Sequence, residues 1–216
     1  MLGLFFLAGI LPAVITAQSS DLGGWWIYFG NLKINERFDW HHEIQYRNYN
    51  VAGDLEQLLV RTGIGYNLTE KNNNILLGYG YILSKNYVDN DSKDNVIEHR
   101  IFQQYITRQS FGRFRLLHRY RFEQRWIAED FRMRARYFLN INLALTKPEM
   151  VANTLYLSAY NEIFLNLSEP VFDRNRIYGG LGYKFNDHVR VELSYMTQVL
   201  ETFSRDQINV VVFGNF

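Results

Sequence analysis

Hydrophobic and polar residues alternate with a period of two along most of this chain. Between residues 113 and 126 one parity reads Arg113, Arg115, Leu117, Arg119, Arg121, Glu123, Arg125, and the other Phe114, Leu116, His118, Tyr120, Phe122, Gln124, Trp126. At about 100° per residue these apolar positions would scatter around a helix, whereas in a strand they share one face. The next run repeats the rule, with Arg132, Arg134, Arg136, Asn140 and Asn142 set against Met133, Tyr137, Leu139, Ile141, Leu143 and Leu145. The same alternation predicts strands at 37–47, 57–68, 75–84, 97–109, 154–167, 176–185, 189–198 and 207–216, and Trp25–Phe29 adds a short apolar segment. Many of these runs exceed the globular strand length of about 5 to 6 residues and reach the roughly 9 to 11 that a tilted membrane strand needs.

Alternation does not say which face looks outward. A soluble sandwich turns its arginines to water, and a membrane barrel turns its aromatics to lipid and closes around the arginines. Two features at the ends of the chain favour the barrel. Residues 1–17 form an apolar segment ending in small residues, read as an export signal cleaved after Ala17, although no Lys or Arg precedes it. In the last run Ile208, Val210, Val212 and Phe216 share one parity, like the C-terminal strand by which outer-membrane barrels are recognised by their assembly machinery.

The expected fold is therefore all-β, an antiparallel transmembrane β-barrel of the outer membrane of a Gram-negative bacterium, filling residues 18–216 as one domain. Eleven strand candidates conflict with the even strand number of bacterial barrels. About ten closing strands are expected, with Trp25–Phe29 as an extra segment at the rim or in the lumen; twelve is the alternative. Connections alternate between short turns, such as 110–112 and 186–188, and longer polar loops.

Composition narrows the function classes. The 216 residues carry a formal charge of +1, 47% hydrophobic residues and no cysteine. A near-neutral charge and the lack of a basic-aromatic motif give no reason to invoke nucleic acid, and disulfide frameworks and thiolate metal sites are excluded. No cofactor or metal is expected: Asp89–Asp94 suggests a calcium loop, but Lys93 and Arg100 stand where an EF-hand needs ligands.

If the charged face looks inward, the lumen holds Arg37, Arg47, Arg61, Arg100, Arg113, Arg115, Arg119, Arg121, Arg125, Arg132, Arg134, Arg136, Arg176 and Arg190, against Glu43, Glu98, Glu123, Glu162, Glu192 and Asp39. Two readings follow. One is a narrow channel favouring small anionic solutes, because a low-dielectric wall focuses the field of the arginines. The other is a structural barrel whose long side chains meet across the axis and fill it. An outer-membrane lipid-modifying enzyme is the alternative from another class. It needs a His beside a Ser nucleophile, and His99, His118 and His188 have no Ser two positions on, while His41 and His42 point to opposite faces. No catalytic residue is assigned. A soluble exported sandwich is the third reading.

Several of these residues also carry a family resemblance: Gly24-Trp25, Glu43 with Arg47, Glu98-His99-Arg100 with Gln103-Gln104, the run from His118 to Arg125, and Gly182-Tyr183. The chain resembles the outer-membrane barrels catalogued as domain-of-unknown-function 2490. That resemblance implies an outer-membrane barrel, with lipid and the barrel-assembly machinery as partners, and carries no activity.

Overall fold

The structure, a computed structural model, describes residues 22–70, 72–88 and 92–216. The proposed export signal and residues 89–91 of the 89–94 loop lie outside them. Eleven strands follow one another in chain order: β1 (Gly23–Lys33), β2 (Phe38–Asn48), β3 (Leu55–Asn67), β4 (Asn73–Tyr87), β5 (Lys93–Phe111), β6 (Phe114–Ile127), β7 (Asp130–Ala144), β8 (Thr154–Asn166), β9 (Phe172–Lys184), β10 (Val189–Leu200) and β11 (Ser204–Asn215). Each pairs antiparallel with its neighbour, and β1 meets β11 to close the barrel.

The closing pair is parallel, with Gly23 opposite Gln207 and Asn31 opposite Asn215. Eleven strands fall within the expected ten to twelve, and Trp25–Phe29, expected as an extra segment, belongs to a full strand of the wall. An odd number of alternating strands brings the first and last side by side in the same direction, so a parallel pair is the geometric consequence. The last residue continues the ladder, since Phe216 N donates to Asn31 O at 2.8 Å and Lys33 N donates to Phe216 O at 2.6 Å. Gly23 therefore stands at one end of the barrel and Phe216 at the other.

Strand tilt is visible in a single row of opposed residues. Lys33, Asp39, Gly65, Leu76, Gln104, Arg121, Arg136, Phe164, Arg174 and Leu200 face one another in turn across the sheet. The row starts at the Phe216 end and finishes at the Gly23 end, as the stagger of a closed barrel requires.

The two faces are inverted relative to a soluble protein. Leu77 and Leu193 are each 60% exposed on the outside, together with Ile44, Ile64, Tyr120, Ile177, Leu181 and Tyr195. Inside, Glu43, Arg61, Glu123, Arg134 and Glu162 are buried. Lumen glycines make room for rings: a Cβ on Gly78 would meet Phe102 Cζ at 2.3 Å, and one on Gly182 would meet Tyr156 Cζ at 2.2 Å.

A charged lumen as the candidate functional site

Five carboxylates organise the middle and the Gly23 half of the lumen, each reached by a guanidinium group from another strand. Glu123 on β6 is fully buried. Its Oε2 accepts from Arg134 Nε (3.0 Å) and Nη2 (2.7 Å), and its Oε1 from Arg136 Nη1 (2.6 Å) and Arg100 Nη1 (3.3 Å). Glu162 on β8 accepts from Arg136 Nη2 at 2.6 Å and Arg119 Nη2 at 2.7 Å, with Arg176 Nη1 at 3.7 Å. Glu98 bridges Arg100 and Arg125, each through two nitrogens. Glu43 takes Arg61 Nη1 at 2.8 Å, and Asp173 joins Arg134 to Arg174. These are the forked contacts for which a planar guanidinium is suited.

The strand period explains how the chain builds them. Inward residues of β2 step along one strand: His41 Nε2 lies 3.4 Å from Glu43 Oε2, Gln45 donates to Glu43, and Arg47 Nε donates to Gln45 Oε1 at 2.9 Å. Across the sheet, opposed pairs such as Arg121 with Arg136 and Arg100 with Arg125 put like charges side by side, so carboxylates one step along must separate them. Aromatic faces take up what the carboxylates do not. Phe164 lies beneath Arg136 (4.3 Å), Arg176 (4.7 Å) and Arg134 (5.0 Å), and Trp25 beneath Arg47 (3.9 Å) and Arg176 (4.9 Å). Arg121 stacks 4.5 Å from Phe102 and donates to Gln104 Oε1 at 2.7 Å.

Toward the Phe216 end the chemistry changes. Glu192 accepts from the hydroxyls of Tyr156 (2.8 Å) and Tyr178 (2.7 Å) and from Arg190 Nη1 (2.6 Å). Toward the Gly23 end a cavity of about 70 Å³ lies among Arg47, Arg61, Arg100, Arg125, Arg174, Arg176 and neighbours, with Glu98 the one carboxylate among the described residues of its wall.

Sixteen of the twenty charged residues assigned to the lumen from the sequence are turned into it, Asp39 among them with Asn74 Nδ2 donating to its Oδ1 at 2.9 Å, and four stand elsewhere. Arg37 is exposed in the β1–β2 turn, and Arg113, exposed in the β5–β6 turn, donates to the carbonyl of Leu145 at 2.9 Å. Arg115 has the inward parity but is exposed at the Phe216-end mouth, and Arg132 is exposed at the other rim, 3.0 Å from Asp130. Parity fixes the side of the sheet and not the height, so residues at strand ends clear the wall. Asp173 was missed because a register shift between Phe164 and Leu165 breaks the alternation there. Gln45, Gln57 and Gln198, which hold Arg47 and Arg176, were missed because amides carry no charge signal.

The histidines are dispersed. His42, His99 and His118 lie on the outer face, hydrogen-bonded to Tyr28 (3.0 Å), Tyr79 (2.6 Å) and Tyr137 (2.9 Å). His188 in the β9–β10 turn faces the carbonyl of Asn215 at 2.7 Å, and His41 contacts Asn31 and Glu43 in the lumen. Phe216 is 57% exposed at its own end of the barrel, its ring 6.2 Å from that of His188.

The class these features define is a closed all-β barrel with a charged interior and an apolar exterior. Residues 22–209 match the family described as "Protein of unknown function (DUF2490)", and the chain belongs to that family. No curated protein and no solved structure matches the chain.

Proposed function

We propose that the protein is a non-enzymatic outer-membrane barrel whose lumen is sealed by its own ion pairs, so that it acts through its wall and its two ends rather than as an open pore. The observation that carries this is the inversion of the faces: Glu123 is fully buried among four arginines within 4 Å, while Leu77 and Leu193 stand exposed outside. A water-soluble monomer rarely exposes contiguous apolar patches beyond a few hundred Å², and lipid removes that penalty. The outer row Phe38, Tyr66, Ile75, Tyr105, Tyr120, Tyr137 also lines a shallow groove of about 930 Å³ suited to acyl chains. The apolar segment expected to be an export signal and the shared parity of Ile208, Val210 and Val212 in β11 are in keeping with this reading.

Sealing is supported by the side chains of β2, β3, β5, β6, β7, β8 and β9, which meet around a space of only about 70 Å³, and by Arg176 of β9 stacking 4.9 Å from the Trp25 ring of β1. The non-enzymatic reading is supported by the histidine partners, which are Tyr, Asn, Glu and a backbone carbonyl, with no serine among them. An anion-favouring channel is the second reading, favoured by the surplus of arginine in the cavity wall. The test is conductance of the refolded chain in a planar bilayer. The sealed barrel gives no steady current until Glu123→Ala and Arg136→Ala are combined. Steady anion-selective current through the unaltered protein would establish the channel instead.

A further inference from the structure

The cavity toward the Gly23 end is the place where the lumen's charges do not balance. Eight arginines line it. The carboxylates that contact them are five, Glu43, Glu98, Glu123, Glu162 and Asp173, which leaves three positive charges among the described residues without a matching anion. The surplus sits on identifiable groups. Among the described residues Arg47 has no carboxylate within 4 Å, and it is held by Gln45, Gln57 and the Trp25 face. Arg176 is held by Gln198 and two rings, with Glu162 only at 3.7 Å. Arg61 is 95% buried, and its Nε has no hydrogen-bond partner. Buried cations with unmet donors are unfavourable unless an anion or water reaches them.

We infer that this cavity is a binding site for one small oxyanion of the phosphate or sulfate class, entered from the Gly23 end and held by Arg47, Arg61 and Arg176. Several features fit that chemistry. Guanidinium forks match tetrahedral oxyanions in pairs, and a volume of about 70 Å³ admits one such ion rather than an organic solute of any length. Amide oxygens of Gln45, Gln57 and Gln198 orient Arg47 and Arg176 without neutralising them, so the positive field remains for a ligand. Access follows from the rim, where the Arg174 side chain is 27% exposed and that of Arg125 14%, against 5% for Arg61. The site rests on the sealed reading only in that the ion enters and does not pass through.

The experiment is calorimetric titration of the refolded mature chain, in phospholipid-free detergent, with inorganic phosphate and then sulfate. Saturable binding at one site is expected, and phosphate at 100 times its Kd should raise the folded-to-unfolded ratio about 100-fold. Arg47→Gln should weaken binding at least tenfold, and Arg115→Gln at the opposite mouth should leave it unchanged. If Arg47→Gln does not refold, Arg174→Gln at the cavity edge is the second variant, with the same direction expected. Absence of saturable binding to the folded barrel overturns the site, as does binding lost with Arg115→Gln and kept with Arg47→Gln. Glycerol 3-phosphate is titrated in parallel: affinity equal to phosphate's admits headgroup-type monoesters, weaker affinity restricts the site to free ions, and both sustain it. Conductance reports separately on sealing, so a current-carrying barrel that binds phosphate would overturn the sealed reading alone.

Discussion

Replacing Glu123 by Gln removes one negative charge from the centre of the lumen while keeping the shape and one acceptor oxygen. The carboxylate accepts four hydrogen bonds, from Arg134 at 3.0 and 2.7 Å, Arg136 at 2.6 Å and Arg100 at 3.3 Å. At roughly 1.5 to 3 kcal/mol for a charge-assisted bond, a simple sum would overstate the loss. Each arginine keeps a second carboxylate: Arg100 keeps Glu98, Arg136 keeps Glu162 and Arg134 keeps Asp173. The expected destabilisation is about 3 to 5 kcal/mol, the range found when one partner of a buried ion pair is removed. Asp130→Asn is the matched control, because its pair with Arg132 is more than half exposed on both sides, and it should cost no more than about 1 kcal/mol. The assay is urea unfolding of the refolded chain in detergent, with heat-modifiable gel mobility as the readout of the folded barrel. If Glu123→Gln is no more destabilising than Asp130→Asn, the lumen charges are solvated singly and the ion-pair plug is refuted.

Three further outcomes follow from the same geometry. Gly78→Ala should cost about 1 to 3 kcal/mol by overpacking against Phe102, since its Cβ would lie 2.3 Å from that ring; an unchanged unfolding midpoint would show that the ring has room to move. Cysteines placed at Trp26 and Val210, opposed across the parallel closing pair, should form a disulfide and lock β1 to β11, because neighbouring strands lie about 4.7 to 4.9 Å apart, within disulfide reach. Failure to cross-link in the folded barrel would return β1 to a loose segment. In the β2–β3 loop, the hydrogen bond from Lys93 holds the Asp54 carboxyl below its ordinary range. A depressed carboxylate stabilises fully above its unfolded value, about 3.9, and the stabilisation drains as the pH falls towards the native value. Protease nicking of this loop should therefore rise only in acid, and Asp54→Asn should abolish the pH dependence.

The alternation that sets Arg119, Arg121, Glu123 and Arg125 against Tyr120, Phe122 and Trp126 was legible because a strand's period is two and the faces differ so strongly in polarity. Closure by β1 was not. Its inward residues Trp25 and Ile27 are as apolar as outward Trp26 and Tyr28, so no parity signal exists. They face the lumen because Trp25 packs with Tyr178 and Met196, with Ile27 and Tyr160 against them, and because Trp25 offers its ring to Arg47. Strand ends were blurred for a related reason: β9 begins at Phe172 rather than 176, and the register shift that turns Asp173 inward leaves no trace in the alternation. Charge balance also needed the structure, since which carboxylate reaches which guanidinium depends on the tilt that carries each row from one end of the barrel to the other.

The central claim, a barrel with its apolar face in lipid and its charges enclosed, is tested most directly along β10. The chain has no cysteine, so single cysteines can be placed at Leu193, Ser194 and Tyr195 and labelled with an environment-sensitive fluorophore after reconstitution in vesicles containing nitroxide lipids. Leu193 and Tyr195 are exposed on the outer face, and Ser194 is buried in the lumen. Quenching at 193 and 195 with none at 194 is the expected result. No quenching at any of the three, or quenching at 194 alone, would contradict the account.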